Sequence, residues 1–193
     1  QTLQLPHAWK KFLHCDLQVS DNRGVDQLLE EVYQLLQQRI EHEQDAGEVR
    51  PVLLHLLQLG RLRTLRRNDE FGLGGFGEEA KLTPDKHLEE ILRDGPSHGV
   101  FTCIWAENYS TLNRWLSRAA LRELEIRILM QMSANDSTNL IDTVAASRLG
   151  DHVMLVYDEA TGQEQRFRPF SNDSLVELAN WSASDATSQT GLT

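Results

Sequence analysis

The apolar positions of residues 25–40, VDQLLEEVYQLLQQRI, fall at Val25, Leu28, Leu29, Val32, Leu35, Leu36 and Ile40. Steps of three and four put them on one stripe of an α-helix, with Asp21 or Asn22 placed to cap its start. Gly47 and Pro51 then bracket a turn, and the pattern changes. Residues 52–57, VLLHLL, have almost no polar alternation, which predicts a strand buried on both faces, as in a parallel sheet. Thr83-Pro84 sets a proline at the first helical position. Leu88, Ile91 and Leu92 face inward from that helix, and Gly95-Pro96 ends it.

A second buried strand, GVFTCIWAE, occupies residues 99–107. Leu112, Trp115, Leu116 and Ala119 mark another amphipathic helix. In EIRILMQMSA, Ile126, Ile128, Met130 and Met132 alternate with Arg127, Leu129 and Gln131, the period of a strand. Helical spacing returns at Leu140, Ile141 and Val144. HVMLVYDEATGQEQRFRPF predicts a hairpin with Thr161-Gly162 at its tip. Beyond Phe170 come a short helical stretch, SLVELANW, and a Ser/Thr/Ala tail expected to be mobile. This order predicts an α/β protein with a mainly parallel sheet and helices on both faces. Function in such folds gathers at the carboxyl ends of strands, here residues 57–60, 106–108 and 133–136.

Composition narrows the picture. A chain of 193 residues, 40% apolar and 25% charged, holds one good-sized core and is too short for two complete domains. It has neither a bilayer-length apolar run nor a signal-peptide pattern. Opening on Gln1, it reads as a piece of a longer polypeptide. Two cysteines, Cys15 and Cys103, without a C-x-x-C, argue against a disulfide framework and for a reducing compartment. Cys103 is expected as a small buried thiol. The seven histidines are scattered, and no metal site is read from them.

Net charge is −10, from 29 acidic and 19 basic residues, which repels nucleic acid unless basic groups collect on one face. Two such gatherings exist. One is Arg61, Arg63, Arg66 and Arg67; the other is Arg114, Arg118 and Arg122, spaced along an expected helix. A solvated face is the ordinary meaning of such a stripe.

FGLGGFGEEA, residues 71–80, has Gly72, Gly74 and Gly77 in the G-x-G-x-x-G spacing of a dinucleotide-binding turn. That chemistry needs a strand directly before the glycines and a helix directly after. RLRTLRRNDE separates the loop from the nearest strand, and the next helix waits until Pro84. The loop therefore reads as surface connection. The alternative is a Rossmann-type domain with Glu107 as its ribose-binding acid; a ligand-free interaction domain is a third reading.

LEEILRDGPSHGVFTCIWAENYSTLNR and MQMSANDSTNLIDTVAASRLGDHVMLVY together resemble the FtsK/SpoIIIE-type DNA translocases. In that family a helix ends in LREG before a buried strand. A Ser-x-x-Asp-Ser turn and an LG-x-G-x-ML strand follow. The likeness spans residues 52–170 and is strongest over 130–157. It implies a RecA-like P-loop ATPase core, residues 1–170 as the carboxyl-terminal part of the motor domain, and residues 171–193 as a short helix and tail. It also implies ATP and Mg²⁺ in the parent domain, a homo-oligomeric ring, double-stranded DNA and the upstream part of the same polypeptide as partners. The location implied is cytoplasmic, without membrane contact by this chain, although the parent has room for an anchor.

Two departures qualify the resemblance. No G-x-x-x-x-G-K-[ST] occurs in the chain, so the cradle is expected upstream of Gln1. Leu57 or Gln58 stands where the family places the acid that holds Mg²⁺. No catalytic residue is assigned, and the copy is read as degenerate, serving assembly or regulation. Glu107 and Asn108, at the place of the phosphate sensor, and Ser133 and Asp136, at the following turn, are the nucleotide-proximal candidates. Ser133, Asp136 and Ser137 also suit helix capping. Arg61, Arg63, Arg66, Arg67, Arg114 and Arg118 are candidates for DNA or subunit contact. The family's phosphate-loop strand lies between the counterparts of residues 100–106 and 126–132, which leaves a slot in the sheet.

Overall fold

The computed structural model describes residues 18–67 and 82–171. The glycine loop and the tail after Ser171 lie outside the described residues. The first helix, α1 (Val25–Glu41), buries Val25, Leu29, Val32 and Leu36, the stripe its spacing predicts. Gly24 is the N-cap, and Asp21 supports the entry by accepting from the amides of Arg23 (3.0 Å) and Gly24 (3.3 Å). α2 (Pro84–Asp94) begins at its proline and turns Leu88, Ile91 and Leu92 inward. It packs along α1, with the Tyr33 and His87 rings stacked at 4.4 Å.

β1 (Val52–Leu56) pairs in parallel with β2 (Val100–Ile104), Val52 opposite Val100 and Leu56 opposite Ile104. Their entries are pinned by Arg39, a buried residue of α1. Its guanidinium donates to the carbonyls of His98 (2.7 Å) and Arg50 (2.9 Å). Gly99 passes close beside it at φ +71°, where an added Cβ would meet Val49 at 2.8 Å. Leu54, Leu56 and Val100 share one core with α1 and α2.

The opposite face of this pair is bare, a correction to the expectation of burial on both faces. Leu53 is 59% exposed, Phe101 42% and Trp105 52%, and His55 and Cys103 stand open beside them. Cys103 is thus not a buried thiol. An unbroken apolar run shows that both faces avoid water; it does not show that one chain covers both.

The single helix expected after β2 is two. α3 (Tyr109–Trp115) stops where Leu116 turns to extended backbone, and Ser117 caps α4 (Arg118–Arg122) by accepting from the Ala120 amide at 3.1 Å. Arg114 therefore does not share a helix with Arg118 and Arg122. Ser117 has the side chain of a helix start, and buried Leu116 fixes the break in place.

β3 (Ile126–Leu129), β4 (Met154–Asp158) and β5 (Gln163–Phe167) form an antiparallel sheet in the order β3-β4-β5. The last two are the expected hairpin, closed at Gly162, whose amide donates to the Asp158 carbonyl at 2.8 Å. α5 (Ala134–Ile141) leaves β3 through Ser133, and Leu129, Ile141, Ala146, Leu149 and Leu155 form a second core. Fully buried Ser137 ties α5 to the turn behind it, donating to the Thr143 carbonyl (2.6 Å) and accepting from the Ala146 amide (3.1 Å). Arg127 donates to the carbonyls of Leu140 and Leu124 and pairs with Glu159. The alternation in β3 points opposite to simple expectation: Leu129 is buried, while Ile126 and Ile128 are 59% and 62% exposed.

The fold is mixed α/β, with a parallel pair, flanking helices and a carboxyl-terminal antiparallel hairpin. No helix among the described residues is long and apolar enough to cross a membrane. His152, at φ +59°, stands where the LG-x-G-x-ML pattern has its second glycine. A side chain costs about 1–2 kcal/mol in that conformation. His152→Gly is expected to leave the thermal midpoint unchanged or raise it. Gly162→Ala, where an added Cβ meets open space but φ is +66°, should cost about 1 kcal/mol through the backbone alone. Scanning calorimetry of both checks this, and a clear loss in His152→Gly would refute it.

Candidate functional site at the carboxyl ends of the strands

The turn after β1 is built by leucines. Trp105 extends the ladder, donating its amide to the Leu56 carbonyl and accepting from the Leu59 amide, both at 2.9 Å. Gln58 then reverses the chain in left-handed conformation, φ +56° and ψ +60°. Two 3₁₀ turns follow, Leu59–Arg61 and Arg63–Leu65. A 3₁₀ helix repeats every three residues, and Leu59, Leu62 and Leu65 keep that interval, all buried. The same repeat leaves Arg61, Arg63 and Arg66 exposed.

Trp115, at the end of α3, meets this turn. Its indole Nε1 donates to the Leu62 carbonyl at 2.9 Å, and the Arg66 guanidinium lies 5.9 Å from its ring centre. Arg114 is held by a 2.9 Å bond from Nη2 to Ser110 Oγ. Arginines 53 positions apart in sequence, Arg61 and Arg114, thereby belong to packed elements, since α3 lies against the 3₁₀ turn that contains Arg61. Arg118 follows at the head of α4. The charge of Arg67 is felt by Glu89 on α2. Burial pushes the Glu89 carboxyl up, but bonds from Lys86 and Ser117 and the charges of Lys86 and Arg67 outweigh it and hold that carboxyl below its usual range.

The nucleotide-proximal candidates mostly serve as caps. Asn108 Oδ1 accepts from the Thr111 amide at 2.8 Å and starts α3. Ser133 Oγ accepts from the Asp136 amide at 3.1 Å and starts α5, with Asp136 in its first turn. α3 and α5 touch, so these residues stand at one end of the domain. Glu107 reaches across to the exit of β1, with Oε2 a long 3.4 Å from the Gly60 amide. The role of Trp115 was not anticipated from sequence. Its signal was the every-third leucine pattern, which gives the arginine turn a fixed shape for a partner ring.

The end of β1 offers Leu57 and left-handed Gln58 in place of a carboxylate. Among the described residues no three His, Cys, Asp or Glu gather closely enough to hold a metal ion.

No protein-family model matches the sequence, and no curated protein matches it. Among solved structures, the chain is similar to the pCW3 conjugation coupling protein TcpA, monomer form with ATPgS: TM-score 0.60 and 14% identity over 81% of this chain. The likeness takes in 47% of the TcpA chain, so this chain spans about half that length. A weaker one, TM-score 0.48 and 12% identity over 80% of this chain and 74% of that one, is to the genome packaging NTPase B204 from Sulfolobus turreted icosahedral virus 2 in complex with ATP-gammaS. The cytoplasmic domain of the Thermomonospora curvata type VII secretion ATPase EccC gives 0.44 and 20% over 66% of this chain and 14% of that one. The TcpA likeness establishes the fold and no more. That fold is a mixed α/β core ending in a β-hairpin.

A phosphate cradle draws most of its attraction from backbone N–H groups and a lysine. Calorimetric titration of the chain alone with Mg-ATP is therefore expected to give no measurable binding. Micromolar affinity would place a working cradle inside it.

Proposed function

We propose that the chain is the carboxyl-terminal part of an FtsK/SpoIIIE-like, ATP-dependent DNA translocase motor domain, in a degenerate copy that serves assembly or regulation. The observation that carries this reading is a pair of strands in two separate sheets, each with one edge unpaired among the described residues. Among the described residues β2 pairs only with β1, and β3 only with β4, so each has an unpaired edge there. The helices that leave them, α3 and α5, nevertheless touch. Exposed around these strands are Leu53, Phe101, Trp105, Ile126, Ile128 and Met130. A strand between β2 and β3 would pair both edges, and a helix laid over it would cover these side chains. That occupant is an upstream segment of the same polypeptide, which carries the phosphate loop.

Covering six half-exposed large apolar side chains contributes on the order of 5 kcal/mol, at about 1.5–3 kcal/mol for full burial of each. That is comparable with the whole stability of an ordinary domain. In the assembled motor ATP and Mg²⁺ bind the upstream cradle, and Glu107, Asn108, Ser133 and Asp136 stand nearest the nucleotide. The motor works as a homo-oligomeric ring on double-stranded DNA, on the cytoplasmic side. The end of β1, without a carboxylate, supports the degenerate part of the reading, because nothing there anchors Mg²⁺ or orients water.

The test compares thermal unfolding of the chain with that of a version extended upstream through the next strand and loop. At roughly 2–4 °C per kcal/mol for a domain of this size, the extended version should melt about 10–20 °C higher. Equal midpoints, with the shorter chain monomeric and cooperative, would mean the sheet is complete without the segment and would remove the reading's support.

A further inference from the structure

The heads of α1 and α2 border a cavity of about 300 Å³, lined by Asp26, Glu30, Leu82, Thr83, Pro84 and His87. His87 is only 6% exposed, and its Nδ1 is buried without a hydrogen-bond partner. Asp26 Oδ1 is buried and unpartnered in the same way. We infer that this cavity receives the guanidinium of an arginine side chain carried by a partner polypeptide segment. The inference goes beyond the motor reading and does not rest on it. Its residues belong to the helix layer, which packs on the side of the parallel pair opposite exposed Phe101 and Trp105.

A neutral imidazole with its proton on Nε2 accepts at Nδ1, and a carboxylate only accepts. Two buried acceptors on the lining of one cavity call for a donor that serves both, because such groups are costly to leave unpaired. A metal ion does not suit them: among the described residues no three His, Cys, Asp or Glu gather closely enough to hold one. A guanidinium spreads five N–H donors over a rigid plane and so reaches acceptors set further apart. Its weak hydration also suits the apolar walls, Leu82 and Pro84, better than the compact, strongly hydrated charge of an ammonium does. The helix N-termini beside the cavity carry about half a positive charge each. The full charges of Asp26 and Glu30 outweigh them.

The receiving wall is held in place. The His87 ring stacks on Tyr33 at 4.4 Å. Burial pushes the Tyr33 phenol up, as does the Glu90 carboxylate that accepts from its hydroxyl. Lys86, the neighbour of His87 in sequence, is engaged by Glu89 at 2.7 Å. None of the described lining residues is a lysine or arginine. A free arginine would therefore bring its own α-carboxylate toward Asp26 and Glu30 without a counter-charge. An arginine inside a peptide carries no such group, which favours a polypeptide source.

The test is a titration of the chain with a short arginine peptide, glycine-flanked and blocked at both ends, read by the ¹⁵N resonances of the His87 ring. Saturable movement of the Nδ1 resonance is expected. Asp26→Asn should weaken the affinity about tenfold, the difference between a charged and a neutral hydrogen bond. Glu41→Gln, at the far end of α1, should leave it unchanged. Asp26 also stands in the first turn of α1, where a carboxylate favours the helix end. Were that its whole role, Asp26→Asn would lower the thermal midpoint and leave the affinity unaltered, and this result would overturn the inference. So would a His87 ring that does not respond, or equal affinity for the lysine counterpart of the peptide. Free arginine binding as tightly as the peptide would overturn the assignment to a polypeptide.

Discussion

A β-strand has two edges lined with hydrogen-bonding groups and two faces lined with side chains, and an edge or apolar face left open carries a cost in water. In β2 one edge is paired with β1 and one face is packed toward α1 and α2. Among the described residues the other edge is unpaired, and on the other face Phe101 and, just past the strand, Trp105 are exposed. β3 repeats the situation: Leu129 enters the second core while Ile126 and Ile128 face outward. The two cores, one beneath the parallel pair and one beneath the hairpin sheet, follow from where this pairing stops.

The helices following the open strands show that the arrangement is specific. Each begins at a side-chain cap, Asn108 for α3 and Ser133 for α5, and the two helices meet. Asn108 and Ser133, nucleotide-proximal candidates by sequence, are first committed to holding the backbone. The buried hydroxyl of Ser137, which both donates and accepts, does the same for the turn behind α5. An unsatisfied polar group at these positions would cost about 1–3 kcal/mol, so a local structural duty suffices to explain their presence.

At the end of β1 the chemistry has a different character. A translocase of the family it resembles would have a carboxylate there. This chain has a left-handed glutamine leading into a leucine-clamped arginine turn. Negative charge is replaced by positive charge on a fixed scaffold.

Much of this was legible in the sequence, for local reasons. The α1 stripe, the proline start of α2, the Thr161-Gly162 hairpin and the Ser133 cap follow from periodicity and from residues whose preferences act within one turn of chain. The phrases shared with the translocases gave the order of the later strands. Local pattern could not say which face of each strand this chain covers. Period-2 apolarity in Ile126 and Ile128 looks the same whether the partner surface is present or supplied from elsewhere. Nor could it bring Trp115 onto Leu62, because that contact spans 53 positions and depends on how α3 leaves β2. The sequence determined the elements and their chemistry. Tertiary packing alone decided which apolar faces stay open and which arginines share a surface, because both depend on contacts between segments distant along the chain.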